Sequence, residues 1–200
     1  MRAMQKTAHH TSPTETARFA HPRRNVVALG IQTGMRVADF GAGSGAYTHA
    51  IAAALEGTGR VYAIDVQRDL LRKITNEATR LGYQNVDVIW ADLEAPRSSK
   101  LADASIDLVL ISNLLFQVPD KLLVLREAQR ILKPDGRVIV IDWSDPALSG
   151  SRGAGIGPSK DDVVAKKIVL ETAERAGLTL QREFAAGAHH YGLILVKQGA

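Results

Sequence analysis

The chain has 200 residues, 46% hydrophobic and 23% charged, with a net charge of +4, a length and balance that suit one globular domain with a substantial core. No apolar run approaches the roughly eighteen residues of a membrane span, and no signal-type apolar segment opens the chain. The absence of cysteine excludes disulfides, thiolate nucleophiles and cysteine-based zinc sites, and a reducing cytoplasm is the expected location.

The first 21 residues are polar, non-periodic and rich in Thr, Ser and His, so they read as a flexible arm ahead of a domain covering 22–200. Arg2, Lys6, Arg18, Arg23 and Arg24 stand against Glu15 in residues 1–30, which leaves the remainder with 20 basic and 20 acidic residues. A nucleic-acid-binding domain would carry a basic face of its own. Such a partner is therefore not expected, although the arm itself could touch phosphate or an acidic surface.

Pro22 to Leu29 reads as a short leading helix, Arg36 to Phe40 as a first strand and Ala46 to Leu55 as a helix. Arg60 to Asp65 follows as a second strand. Leu71, Ile74, Ala78 and Leu81 are spaced to line one face of a helix over 70–81, stopped by Gly82. Asn85 to Trp90 and Ile106 to Ser112 read as strands. A helix spans Lys121 to Leu132, Pro134 and Gly136 break it, and Arg137 to Asp142 gives a fifth strand. Alternation of this kind predicts an α/β fold, a doubly wound parallel sheet with helices on both faces. A helix starting at Ser159–Asp162 and running to Gly177 follows. Leu178–Phe184 and His190–Lys197 are then two strands separated by five residues. Five residues are too few for a parallel crossover, so these strands must pair as an antiparallel hairpin.

The chemistry concentrates after the first strand. Gly41, Gly43 and Gly45 alternate between that strand and an Ala-rich helix, and Asp65 ends the second strand about twenty residues on. The glycines clear space for a ligand against the backbone, and an acid at that distance can accept both hydroxyls of a ribose. Gly41, Gly43 and Ala46 also satisfy a relaxed dinucleotide fingerprint, so a nicotinamide-dependent oxidoreductase is one alternative. Asp39 weighs against it. A carboxylate two residues before the first glycine would repel a pyrophosphate, whereas it would favour S-adenosylmethionine, which has no phosphate and carries an ammonium and a sulfonium.

Asp39-Phe40-Gly41-Ala42-Gly43-Ser44-Gly45 resembles the first motif of class I S-adenosylmethionine-dependent methyltransferases, and the match continues in order. Asp65, followed by Val66, falls on the family's ribose-binding acid. Trp90-Ala91-Asp92-Leu93 resembles the adenine-binding segment after the third strand, where the resemblance implies that Asp92 takes the adenine amino group and the Leu93 amide the ring nitrogen. Asp107 to Asn113 resembles the fourth strand, ending at Ser112 beside the transferred methyl. Leu125 to Trp143 resembles the helix, Lys-Pro-x-Gly turn and fifth strand. The resemblance covers roughly 22–197 and implies a mostly parallel, seven-stranded, Rossmann-like sheet ending in an antiparallel hairpin. It is nearest to compact enzymes such as those of quinone biosynthesis. The implied activity is in-line methyl transfer from S-adenosylmethionine, leaving S-adenosylhomocysteine, to a small molecule. The alternatives are an RNA or protein methyltransferase using the basic arm and a non-catalytic cofactor-binding protein.

Positioning alone can supply much of the rate in such a transfer, so few catalytic side chains are expected. Ser112-Asn113-Leu114-Leu115-Phe116 departs from the Asn/Asp-Pro-Pro-aromatic run of relatives that methylate exocyclic amines. The absent cysteines exclude the covalent route to 5-methylcytosine. The ends of the fourth and fifth strands supply at most one carboxylate, Asp142, so no metal is expected. Asn113 and His190 are the catalytic candidates, beside His189 and Tyr191. Strand alternation places His190 and Tyr191 on opposite faces, so only one of them can line a given pocket. Tyr47 could cover the methionine end of the donor. Phe116 and Trp143 could line an apolar acceptor pocket, and the Gly/Ser/Pro-rich stretch 144–160 is a candidate lid.

Overall fold

The computed structural model describes residues 22–144, 158, 162–187 and 189–199. The expected arm 1–21 and nearly all of the candidate lid lie outside these residues. The elements are α1 (Pro22–Leu29), β1 (Arg36–Phe40), α2 (Ala46–Ala54), β2 (Arg60–Asp65), α3 (Arg68–Arg80), β3 (Val86–Trp90), β4 (Ile106–Ser112), α4 (Lys121–Ile131), β5 (Leu132–Trp143), α5 (Lys166–Arg175), β6 (Leu178–Gly187) and β7 (His190–Lys197). They build one seven-stranded sheet in the order β3-β2-β1-β4-β5-β7-β6. Strands β1 to β5 are parallel, and β7 runs antiparallel to both β5 and β6. This is the doubly wound, Rossmann-like sheet with a terminal hairpin that the sequence predicts.

Strand alternation divides the core into two layers. Val109, Ile111, Val138, Val140, Leu193 and Leu195 face α4 and α5, where Val124, Leu125 and Val169 are buried against them. Val37, Leu108, Leu110, Ile139, Ile141 and Ile194 face α1 and α2 through Val26, Leu29, Ile51 and Leu55. Helix α3 joins the second layer by placing Leu71 and Ile74 on Ala63. With both faces covered, the central strands must be apolar on both sides, which is why β4 and β5 read as nearly continuous aliphatic runs.

Only a loop joins β3 to β4, and side chains fasten it to α4. Glu127, 4% exposed, accepts from the Ser99 amide at 2.9 Å and from Arg130 Nη2 at 2.7 Å. Arg130 also bonds Asp103 and the Leu101 carbonyl. Burial alone would raise the Glu127 pKa, but the bonds from Arg130 and Ser99 hold it below the usual range.

Two boundaries differ by four residues or more from the sequence reading. β5 starts at Leu132, five residues earlier than expected. Leu132 pairs with Ile106 and Arg137 with Leu108, so Lys133–Gly136 forms an irregularity inside the strand, a place where proline's missing N–H is tolerated. α5 starts at Lys166; 159–161 of its expected start lie outside the described residues, and the residues just ahead of Lys166 are docked outside the helix. Ala165 has ψ 135°, Val164 is buried, and the Val164 carbonyl accepts from the Tyr191 hydroxyl at 3.3 Å.

Candidate active site

In this sheet the strand order reverses between β1 and β4, and the carboxyl ends of those strands are where α/β folds bind ligands. A cavity of about 360 Å³ opens there, lined by Asp39, Gly41, Gly43, Tyr47, Ser112 and Asn113 together with Pro22, Ala42, Ser44, Ala46 and Gln117. The Gly41 and Ala42 amides both donate to the Ile64 carbonyl, at 2.9 and 3.0 Å, folding the glycine loop back over β2. Gly41 has φ +70°, and a Cβ there would lie 2.8 Å from Leu114 Cδ1. Gly45, at φ +80°, caps α2, and a Cβ there would lie 2.7 Å from Ile74. Both positions combine left-handed backbone with close neighbours, so glycine is required at each.

Asp65 lies outside the cavity wall but fixes its shape. Its two carboxylate oxygens accept from the Gly43 amide at 2.9 Å and the Gln67 amide at 2.8 Å. Each oxygen retains acceptor capacity for a pair of vicinal hydroxyls. Asp39, 2% exposed on the α1/α2 side of β1, accepts from Thr48 Oγ1 at 2.6 Å. Burial pushes its pKa up to about 6, Thr48 opposes the rise and Asp65 adds to it. A buried carboxylate short of counter-charge favours a cationic ligand over a phosphate. Ser112 Oγ and Asn113 Oδ1, buried at the end of β4, have no hydrogen-bond partner. Asn113 holds a left-handed φ of 53°, its amide is tied to the Ile141 carbonyl at 2.8 Å, and Gln117 Nε2 donates to its carbonyl at 2.6 Å. These residues fit the adenosyl donor implied by the motifs: a glycine cradle, a hydroxyl-accepting acid, and a buried anion facing the cavity.

The other nominated residues stand further out. Val66 is exposed, and its carbonyl accepts from Trp90 Nε1 at 2.9 Å. Asp92 is exposed and bonds the Glu94 amide at 3.0 Å, while the Leu93 side chain is in the core. His190 lies on the α1/α2 face, and Tyr191 on the opposite face, as alternation requires. Only β6, ending at Gly187 rather than Phe184, lengthens the hairpin around them.

Three features were not apparent in the sequence. Pro22 and Gln117 join the cavity from α1 and from the turn after β4. Asn25 clamps α1 by donating to the Tyr47 hydroxyl at 2.8 Å and to the Ala186 carbonyl at 3.0 Å. Asp142, 1% exposed, has its pKa raised to about 6 by burial, against the pull of the Trp143, Leu115 and Phe116 amides. An aspartate closing an apolar strand was the available signal for the last.

A family profile described as a methyltransferase domain matches residues 31–181. The demethylmenaquinone methyltransferase of Anoxybacillus flavithermus is 32% identical over 124 residues, 62% of this chain and 51% of that protein. Its counterpart in Staphylococcus aureus strain MRSA252 is 35% identical over 127 residues, 63% of this chain and 50% of that protein. The chain thus spans about half the length of the curated relatives it matches. The crystal structure of a SAM-dependent methyltransferase from Aquifex aeolicus superimposes with a TM-score of 0.78 at 26% identity, covering 92% of this chain and 93% of the other.

Proposed function

The chain belongs to the methyltransferase domain family, in its class I S-adenosylmethionine-dependent form, and from that premise we propose that it methylates a small-molecule acceptor, a hydroxylated ring of the quinol type. The observation that carries the donor half is the cavity at the β1/β4 reversal, where buried Asp39 and the Asp65-braced glycine loop meet. In this reading Asp65 takes the ribose hydroxyls, Asp39 faces the cationic methionine end, and Asp92, Leu93 and Val66 border the adenine. The donor supplies an activated methyl group, and the protein's task is to hold the acceptor in line and keep water out. Support for the acceptor half comes from the two relatives named for demethylmenaquinone. Trp143, buried at the end of β5 on the α1/α2 side of the sheet, suits a flat ring, whereas Phe116 packs on the α4/α5 side and does not share a pocket with it.

Two measurements test this. Calorimetry with S-adenosylhomocysteine should show binding that falls roughly 30-fold or more in Asp65→Ala, the loss of charge-assisted hydrogen bonds worth about 2–3 kcal/mol. An unchanged affinity would remove Asp65 from the donor site. Labelled methyl should pass from S-adenosylmethionine to reduced 1,4-naphthoquinone, and label appearing only on RNA or protein would overturn the small-molecule reading.

A further inference from the structure

The β5–β7 pair ends in a polar, aromatic corner that the donor site does not use. Trp143 pairs with His190 across the two strands, and their rings lie 4.3 Å apart between centroids, tilted by 41°. Both side chains are more than nine-tenths buried, at 6% and 4% exposure. Neither ring nitrogen of His190 has a hydrogen-bond partner. The backbone beneath is firmly held, because the Ser144 amide donates to the His189 carbonyl at 2.8 Å. An imidazole cannot satisfy itself: in its neutral form one nitrogen must donate and the other accept. Burying both without partners is costly, and such orphaned groups mark places where a ligand completes the bonding.

His190 shares a face with the donor cavity. It lies on the side of the sheet that carries Ile141 and Ile194, the same side as Tyr47 and the α2 helix. Ser112, in register with Ile141 on β4, projects to that side too. Burial raises the Tyr47 pKa, and Asn25 and then the nearby Ser112 hydroxyl offset part of that rise, although Ser112 Oγ has no partner at full hydrogen-bond geometry. Ser112 and His190 are two strands apart and offset by two residues along β5, roughly 12 Å by strand spacing and rise, with β5 and its terminal Trp143 between them. A flat ring system with an oxygen at each edge is the kind of molecule that reaches both.

We propose that His190, backed by Trp143, is the hydrogen-bonding residue for a ring oxygen of the methyl acceptor, with Ser112 serving the opposite edge. This rests on the quinol-type reading above and adds the residues that recognise it. Burial, with a smaller contribution from His189, lowers the His190 pKa to about 4. The imidazole is therefore neutral at physiological pH and acts through its N–H and lone pair, not as a cation. It orients the hydroxyl.

The test is binding, measured by calorimetry on the protein saturated with S-adenosylhomocysteine, using 1-naphthol and naphthalene as probes. Wild type should prefer 1-naphthol by about tenfold. His190→Phe, which keeps an aromatic ring against Trp143, should bind naphthalene and S-adenosylhomocysteine as before and lose the preference. His190→Gln, which restores one amide donor, should recover part of it. Preference retained in His190→Phe, or no preference in wild type, overturns the proposal. If His190→Phe does not fold, as circular dichroism would show, the wild-type preference and His190→Gln still decide. Transfer to reduced naphthoquinone without any 1-naphthol preference would sink this assignment alone. No transfer and no binding of either probe would sink the quinol reading with it.

Discussion

Asp39 bears two conflicting demands, burial and charge. Its pKa of about 6, against an ordinary 3.8, means that the folded chain binds a proton there over a pH range in which the unfolded chain has lost it. Stability of the ligand-free protein therefore falls as pH rises from about 4 to about 6, and the whole cost is present at pH 7. A shift of that size corresponds to about 3 kcal/mol as an upper figure. Asp39→Asn keeps an acceptor for Thr48 and removes the buried charge, so it should raise the stability of the empty protein at pH 7 by about 1–3 kcal/mol in urea unfolding. The same substitution should weaken S-adenosylhomocysteine about tenfold, because the ammonium loses its counter-charge. Wild-type affinity should drop below pH 6 as the carboxyl protonates, and Asp39→Asn should lack that drop. A variant that gained affinity and lost stability would contradict the assignment on both counts. Such opposition between binding and folding is expected at a functional site.

At the scale of elements, the terminal hairpin is where the parallel sheet becomes mixed. β7 is inserted between β5 and β6, so its packing fixes both neighbours. Gly192 pairs with Ile141 on one side and Phe184 on the other. A Cβ at 192 would lie 2.4 Å from Phe184 Cζ and within 2.7 Å of two further ring atoms. Gly192→Ala should thus cost about 1–3 kcal/mol, the usual penalty of overpacking, read as a lower urea midpoint with an unchanged slope. No loss of stability would mean that the ring swings aside freely. The hairpin itself was legible in the sequence, since five residues between two apolar strands leave no other pairing. The glycine loop, Asp39 and Asp65 were equally legible, because short spacings along the chain encode them. The interruption of β5 at Lys133–Gly136 was hidden: Pro134 and Gly136 have the composition of a turn, and only the partner strand reveals that pairing resumes on both sides. The delayed start of α5 was hidden for a similar reason. Ser159–Asp162 has the chemistry of a helix start, but tertiary docking of Val164 and its bond from Tyr191 hold the residues just ahead of Lys166 outside the helix. Pro22, Asn25 and Gln117 join the site through packing between distant elements, which no local pattern records.

For the molecule as a whole, the donor site connects parts that are otherwise joined mainly through the sheet. The cavity draws on α1 through Pro22, on β1 and the glycine loop, on α2 through Tyr47, and on the turn after β4 through Asn113 and Gln117, while Asp65 ties in β2. A ligand bound there contacts only the folded chain and stabilises it by mass action, by about 2.7 kcal/mol at a hundredfold excess over Kd. For a chain of this length each kcal/mol is worth about 2–4 °C, so S-adenosylhomocysteine at that excess should raise the unfolding temperature by roughly 5–11 °C. NAD at equal concentration should not, because its pyrophosphate would have to approach the buried Asp39 carboxylate. The rise should grow with the logarithm of ligand concentration and shrink in Asp65→Ala. An equal or larger shift with NAD would mean that Asp39 does not discriminate charge, and the electrostatic basis for the donor assignment would fail even though the fold remained the same.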